Sequence, residues 1–205
     1  MTAYLLKITL LRAKPGIWRR IMVPADFSFK KLHDAIQYAM GWENIHPHKF
    51  TFEDDPMAFT DDEKWVNEYN HYLWNPKPRE ISQRTVDDIL NRPAEFSSKV
   101  SIEQFLLKCK TINYTYDFAD NWQHEIKLEN IVEDYSHKYP ICLEAETACP
   151  PEDVGGIDGF RLFTKALNDP QHPEHEKATA WAETKGYTGK FNINHINELL
   201  KGIRS

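Results

Sequence analysis

The chain has 205 residues, 41% hydrophobic and 13% aromatic, so it can bury a core and is too apolar for a disordered protein. Its net charge of −6 argues against a broad duplex-DNA-binding surface, and no apolar run approaches the roughly 20 residues that span a bilayer. Three sparse cysteines (Cys109, Cys142 and Cys149) and the lack of a signal-peptide pattern predict a cytoplasmic protein without disulfides or membrane contact.

The first half of the chain reads as a hairpin, a helix and a strand. Residues 4–11 and 17–23 alternate in apolar character around a Pro-Gly turn, which predicts a β-hairpin. A helix is predicted from the N-cap Ser28 to the stop at Gly41, and residues 49–52 predict a third strand. This order is the opening of a β-grasp-like α+β fold with a mainly antiparallel or mixed sheet.

The rest of the chain predicts one domain spanning residues 1–205 with a loop-rich insertion. The insertion covers about residues 53–100, where acidic and proline-containing loops flank a short helix near residues 86–90. Ser101 resembles the first residue of a capping box for another short helix. Two more strands and, after residue 156, extra C-terminal helices follow from the apolar spacing.

The charge is unevenly distributed along the chain. Residues 1–31 carry a formal charge of +6, so the remainder carries −12. Two interpretations stay open for this basic segment: a solvated hairpin, or a local anion-binding face with Arg19 and Arg20 as candidate contacts. In a regular strand only one of the two arginines points to that face. Nucleic acid is therefore a candidate partner of this segment, although the acidic balance of the whole chain argues against it.

A polar string at residues 116–124 is not required by core-and-surface patterning. It places Asp117, Asp120 and His124 around the bend between two predicted strands. Carboxylates and imidazole can ligate a divalent metal or transfer protons. The alternative is turn chemistry, in which the aspartates accept hydrogen bonds from nearby backbone amides.

A second string, residues 150–156, holds Glu152 and Asp153 between a proline pair and a glycine pair. These acids either bind a ligand or cap the following helix through its dipole. His46 and His48 are two residues apart, so in an extended segment both can face one way. A divalent metal is the candidate cofactor of the combined ligand-binding set, which comprises His46, His48, Asp117, Asp120, His124, Glu152 and Asp153.

Several motifs identify a family more readily than a reaction. They are residues 17–21 (IWRRI), residues 40–42 (MGW), residues 114–124, residues 150–156 and residues 159–160. On these motifs the chain resembles the plasmid open-reading-frame-three-like proteins, which also occur as transposon passenger proteins and are sometimes labelled resolvases. The resemblance implies an α+β fold, a cytoplasmic location and an association with mobile genetic elements.

The residues exclude recombinase catalysis. No histidine is followed three residues later by arginine, as a tyrosine recombinase requires. A serine resolvase needs a nucleophilic serine near its start, but the first serine here, Ser28, is the predicted helix cap. The leading hypothesis is a non-catalytic binding or interaction module. The alternative is a metal-dependent hydrolase-type enzyme that uses the clustered acids and histidines. An enzyme of this kind needs three or more ligands to converge around an open coordination position.

Overall fold

The computed structural model describes residues 1–77 and 81–204. The predicted hairpin, helix and strand are present as β1 (Ala3–Leu10), β2 (Ile17–Pro24), α1 (Phe29–Met40) and β3 (His48–Thr51). Ser28 Oγ accepts the backbone N–H of Lys31, and Gly41 ends the helix in the left-handed conformation at φ 85°.

Where the structure describes it, the segment predicted as a loop-rich insertion contains two short strands, two α-helices and a 3-10 helix at Ser97–Lys99. In chain order the strands and α-helices are β4 (Ala58–Thr60), α2 (Glu63–Trp74), α3 (Gln83–Leu90) and β5 (Ala94–Phe96). α3 contains the helix predicted near residues 86–90, whereas α2 and the strands were not predicted from the loop composition. Residues 78–80 lie outside the described residues.

The second half of the chain supplies the remaining strands and helices. They are α4 (Glu103–Cys109), β6 (Thr111–Tyr116), β7 (Trp122–Val132), β8 (Ile141–Glu146), α5 (Gly156–Asn168), α6 (His175–Thr184) and α7 (Ile193–Leu200). The capping box predicted at Ser101 does not form: Ile102 is the N-cap of α4, and Ser101 Oγ accepts the N–H of Glu103 instead. β8 was not predicted.

The strands form one mixed sheet of eight strands in the order β5-β4-β3-β6-β7-β1-β2-β8. Neighbouring strands run antiparallel except β4 and β5, which are parallel. The α+β class with a mixed sheet is therefore confirmed. β6 and β7 lie between β3 and the hairpin, so the turn joining them adjoins the segment that enters β3.

The core lies between the sheet and α1. Alternate residues of β1 (Tyr4, Leu6, Ile8 and Leu10) are buried, as a strand with one covered face requires. They belong to one cluster with the apolar stripe of α1. In the described ranges, none of the helices is long and apolar enough to cross a membrane.

Candidate functional site

The two polar strings meet at the end of the β6–β7 hairpin. Asp120 Oδ2 accepts the backbone N–H of Gly155 at 3.1 Å. Gly156, at φ 67°, comes so close that a Cβ there would lie 2.6 Å from the carbonyl oxygen of Asp120. The glycine pair thus permits the close backbone approach and positive φ that bring the hairpin turn against the loop of residues 150–156.

Strand pairing brings His46 to the same place. His48 is opposite Tyr116 where β3 pairs with β6, and the backbone N–H of Asp117 donates to the carbonyl of Pro47 at 2.9 Å. His46, just before β3, therefore lies beside Asp117, just after β6. Asp117 itself has φ 53°, a conformation that aspartate tolerates better than most residues.

Three carboxylates converge on the imidazole of His46. From His46 Nε2 the distances are 3.3 Å to Asp153 Oδ1, 3.6 Å to Glu152 Oε2 and 3.7 Å to Asp117 Oδ2. One ligand atom from each of His46, Asp117 and Asp153 lies within 4.8 Å of the other two. Glu152 and Asp117 are buried, whereas the side chain of Asp153 is 52% exposed, so the cluster adjoins solvent on the Asp153 side.

Each carboxylate uses its other oxygen for a structural hydrogen bond. Asp117 Oδ1 accepts the N–H groups of Ala119 and Asp120, which is the predicted turn chemistry. Asp153 Oδ2 accepts Lys185 Nζ at 2.9 Å. The second oxygen of every carboxylate is left facing His46. The turn interpretation of Asp117 is thus confirmed, and its second oxygen remains directed at His46.

Glu152 is held in place by hydrogen bonds from Tyr116 and from the backbone of Glu43. Its Oε1 accepts the Tyr116 hydroxyl at 2.9 Å and the backbone N–H of Glu43 at 2.9 Å. Its Oε2 and His46 Nε2 are buried atoms without a hydrogen-bond partner among the described residues. Burial raises the pKa of Glu152, whereas the hydrogen bond from Lys185 lowers the pKa of Asp153. Burial therefore favours the neutral form of Glu152, whereas Lys185 favours the charged form of the adjacent Asp153.

Two predicted members, His48 and His124, do not join this cluster. His48 stacks on His33 with ring centroids 3.6 Å apart, and His124 packs edge-on against Trp42. Both histidines are buried, and desolvation lowers the pKa of His124 to about 4, so it is neutral at pH 7. The expectation that His46 and His48 share a face fails because His46 lies in a bend before the strand begins.

Asp120 also contributes no ligand to the His46 cluster. Its described contact is the hydrogen bond to Gly155, so it positions the loop that carries Glu152 and Asp153. The predicted set of seven is thus divided: four residues converge (His46, Asp117, Glu152 and Asp153), one positions the loop, and two lie in the interior.

The predicted anion contacts require a correction. Arg19 is buried, and its guanidinium donates to the carbonyl oxygens of Trp18, Ala39, Glu146 and Thr147 and to Cys149 Sγ. Arg20 points to the other face and pairs with Glu129 and Glu144. The two side chains point to opposite faces of the sheet, as alternation requires. Both guanidinium groups are engaged by groups of the protein, so neither is free to contact an anion directly.

Sequence reasoning missed Lys185 and the role of Tyr116. Lys185 bonds to Asp153 across 32 positions of sequence, and a lone lysine near a helix end carries no local signal of such a contact. Tyr116 is the first residue of the polar string 116–124, and its apolar ring is typical of a core residue. It is buried, yet its hydroxyl also accepts the N–H groups of Ile45 and His46, which fixes the segment carrying the imidazole.

Three similarities to known proteins accompany this geometry. The family model described as plasmid pRiA4b ORF-3-like protein matches residues 2–198. Over 199 residues the chain is 32% identical to the uncharacterized protein y4hQ of Sinorhizobium fredii (strain NBRC 101917 / NGR234), covering 97% of this chain and 90% of that protein. The crystal structure of MM3350 from Methanosarcina mazei Go1, a protein of unknown function, is similar with a TM-score of 0.74 and 29% identity, covering 94% and 96% of the two chains. The chain therefore belongs to the plasmid pRiA4b ORF-3-like family.

Proposed function

We propose that this protein is a binding module for a divalent transition-metal ion, held by His46, Asp117 and Asp153. The observation that carries the proposal is the orientation of the carboxylates, each of which is anchored through one oxygen and directs the other toward His46 Nε2. The buried, unpartnered Oε2 of Glu152 faces the same point.

The spacing of the donor atoms supports an ion at their centre. Ligands about 2.1 Å from a tetrahedral metal are separated by about 3.4 Å. The distances from His46 Nε2 to the three carboxylates are 3.3 to 3.7 Å. The 3.3 Å separation from Asp153 is within reach of a hydrogen bond, whereas the separations from Glu152 and Asp117 are not, so direct pairing with the imidazole explains only one of the three contacts. One imidazole with carboxylates suits zinc or manganese.

Titration of the metal-free protein with Zn²⁺ or Mn²⁺ is expected to give one site per chain, measured by calorimetry. Asp117→Asn should weaken the affinity by about 100-fold or more, because it replaces a charged ligand while keeping an oxygen for the turn. Asp134→Asn is the matched control, since Asp134 is an exposed aspartate in the turn that follows β7 and lies outside the cluster. Its affinity should stay within about threefold of the wild type. Absence of a stoichiometric site in the wild type, or equal losses in both variants, would refute the proposal.

A metal-dependent hydrolase is a second candidate, favoured by the position of Glu152. Three protein ligands with one open position are the pattern of hydrolytic zinc sites. Glu152 Oε2 lies 3.6 Å from His46 Nε2 but outside the three-residue ligand group. If His46, Asp117 and Asp153 held an ion, the ion would supply Lewis-acid chemistry, and Glu152 would be placed to act as the general base for ester hydrolysis.

Glu152→Gln separates this candidate from simple metal binding. The variant keeps an amide oxygen for Tyr116 and Glu43 but removes the base. With zinc bound, hydrolysis of p-nitrophenyl acetate and bis-p-nitrophenyl phosphate is measured for both proteins. A hydrolase should lose about 100-fold or more in kcat/KM while its metal affinity changes little. Wild-type rates equal to those of free zinc in buffer would exclude hydrolysis of these esters and leave the binding function.

Nucleic-acid binding and an association with mobile elements gain no support from the geometry. The nucleic-acid hypothesis rests on the basic hairpin, where Arg19 bonds to backbone carbonyls while Arg20 pairs with two glutamates. The association with mobile elements rests on the family resemblance alone. We therefore base the proposed function on the His46 cluster alone.

A further inference from the structure

A separate cleft lies beside the His46 cluster, between the C-terminal end of α1, residues 148–151 and residues 185–199. Its volume is about 460 Å³, within the range of small-molecule sites. Trp42 forms part of its wall, and the indole N–H of Trp42 donates to the carbonyl of Pro150 at 2.9 Å. This hydrogen bond fixes the wall against the loop that follows Cys149.

The charge of the cleft is opposite to that of the whole chain. The protein has 31 acidic and 25 basic residues, yet no aspartate or glutamate is among the described residues that line the cleft. Its basic residues are Lys190, Lys185, which is paired with Asp153, and the buried Arg19, and His195 lies beside them. A concave surface lined by one sign of charge concentrates ligands of the opposite sign.

Arg19 contributes a positive charge that forms no ion pair among the described residues. Its donors bond to carbonyl oxygens and a thiol. The carbonyl dipoles, among them Ala39 at the negative end of α1, offset part of this charge, and the remainder is weakly screened in a low-dielectric surrounding. Arg19 thus acts on the cleft as a fixed source of potential behind the wall.

Aromatic rings supply the rest of the lining. Phe191, 38% exposed, lies with its ring centroid 5.1 Å from Arg19 Cζ, and Tyr187 and Trp42 line the same cleft. The Phe191 and Tyr187 rings offer apolar faces on which a planar ligand can stack, whereas Trp42 is buried and already stacks on Tyr116. Lys190, which is exposed, forms no ion pair among the described residues, so it can contact an anionic group directly.

We infer that this cleft binds an organic anion carrying an aromatic or other planar apolar group. The anionic end contacts Lys190 and His195, and the flat body packs on the aromatic wall. The inference does not rest on the proposed metal site, because its residues differ from the metal ligands. The two sites are connected by the bond of Lys185 to Asp153 and by the stacking of Trp42 on Tyr116.

The probe is 1-naphthyl phosphate, titrated into EDTA-treated protein by calorimetry and compared with 1-naphthol and inorganic phosphate. Naphthyl phosphate should bind one site per chain, about tenfold or more tighter than either comparison compound, because only it has both parts. If naphthol binds as tightly as naphthyl phosphate, the cleft does not select an anion. If inorganic phosphate binds as tightly, the cleft does not recognise the aromatic group. Either result, or no binding of naphthyl phosphate, overturns the inference. Since metal is absent, the outcome is independent of the His46 cluster.

Lys190→Glu locates the bound probe. The variant should weaken naphthyl phosphate by about tenfold, because it reverses one exposed charge at the cleft. Lys108→Glu makes the same change on an exposed residue of α4, away from the cleft, and should stay within about twofold. Thermal unfolding confirms that both variants are folded. Equal effects of the two variants would place the anion elsewhere and contradict the assignment.

Discussion

Replacing Arg19 by methionine is expected to lower the free energy of unfolding by about 3 to 5 kcal/mol, although a basic residue in a β-hairpin is usually an exposed one. The guanidinium joins β2 to two other parts of the fold. Its Nε donates to Ala39 at 2.7 Å, and Nη1 donates to Glu146 and Thr147 at 3.0 Å.

The largest part of this loss is expected at the end of α1. Ala39 lies in the last turn, where carbonyl groups have no partner within the helix. Arg19 supplies a donor and a positive charge at that negative helix end. Methionine fills a similar volume but donates nothing, so the carbonyl would be left buried without a partner or would draw in water.

Arg20 is the matched control for Arg19, since it is the adjacent residue and the same side chain. Arg20→Met removes ion pairs with Glu129 and Glu144, but these are partly exposed and should cost less than about 1 kcal/mol. Urea unfolding followed by tryptophan fluorescence measures both variants. Similar midpoints for Arg19→Met and Arg20→Met would show that the buried guanidinium network does not stabilise the fold.

Local elements were predictable because their signals lie within a few residues. The α1 helix has its cap, apolar stripe and terminal glycine inside 14 consecutive positions, from Ser28 to Gly41. The same helix contains a further signal, a pair of polar residues beside the apolar stripe. His33 and Gln37 are four residues apart on the helix. Both are buried, and both satisfy their polar groups by hydrogen-bonding to the Tyr114 hydroxyl. Polar residues at helical spacing beside a buried face indicate such a partner.

The site was predictable in its parts but not in its assembly. Both polar strings were recognisable as exceptions to ordinary patterning, and four of the seven predicted residues converge. Which four depends on contacts between distant segments, such as His46 with Asp153. The orientation of Arg19 was likewise undetermined, because alternation places one arginine inward without saying which. Only the sheet pairing and the packing of residues 146–149 decide it.

Gly159→Ala should destabilise the protein by about 3 kcal/mol, and here two physical arguments give opposite signs. Gly159 lies inside α5, where helix propensity alone predicts that alanine stabilises by about 1 kcal/mol. A Cβ at this position would, however, lie 2.0 Å from the carbonyl oxygen of Val154. Backbone must move to relieve so close a contact, and helix propensity is too small to compensate.

The movement would also reach the candidate site, because the residues that must shift follow Asp153 directly. Gly16→Ala is the control, since a Cβ at Gly16 meets nothing within 4 Å and no positive φ is required there. That variant should unfold within about 1 kcal/mol of the wild type. Chemical denaturation of both variants decides between propensity and packing. If Gly159→Ala were as stable as the wild type, Val154 could not lie against α5, and the loop that presents Glu152 and Asp153 to His46 would have to follow another path.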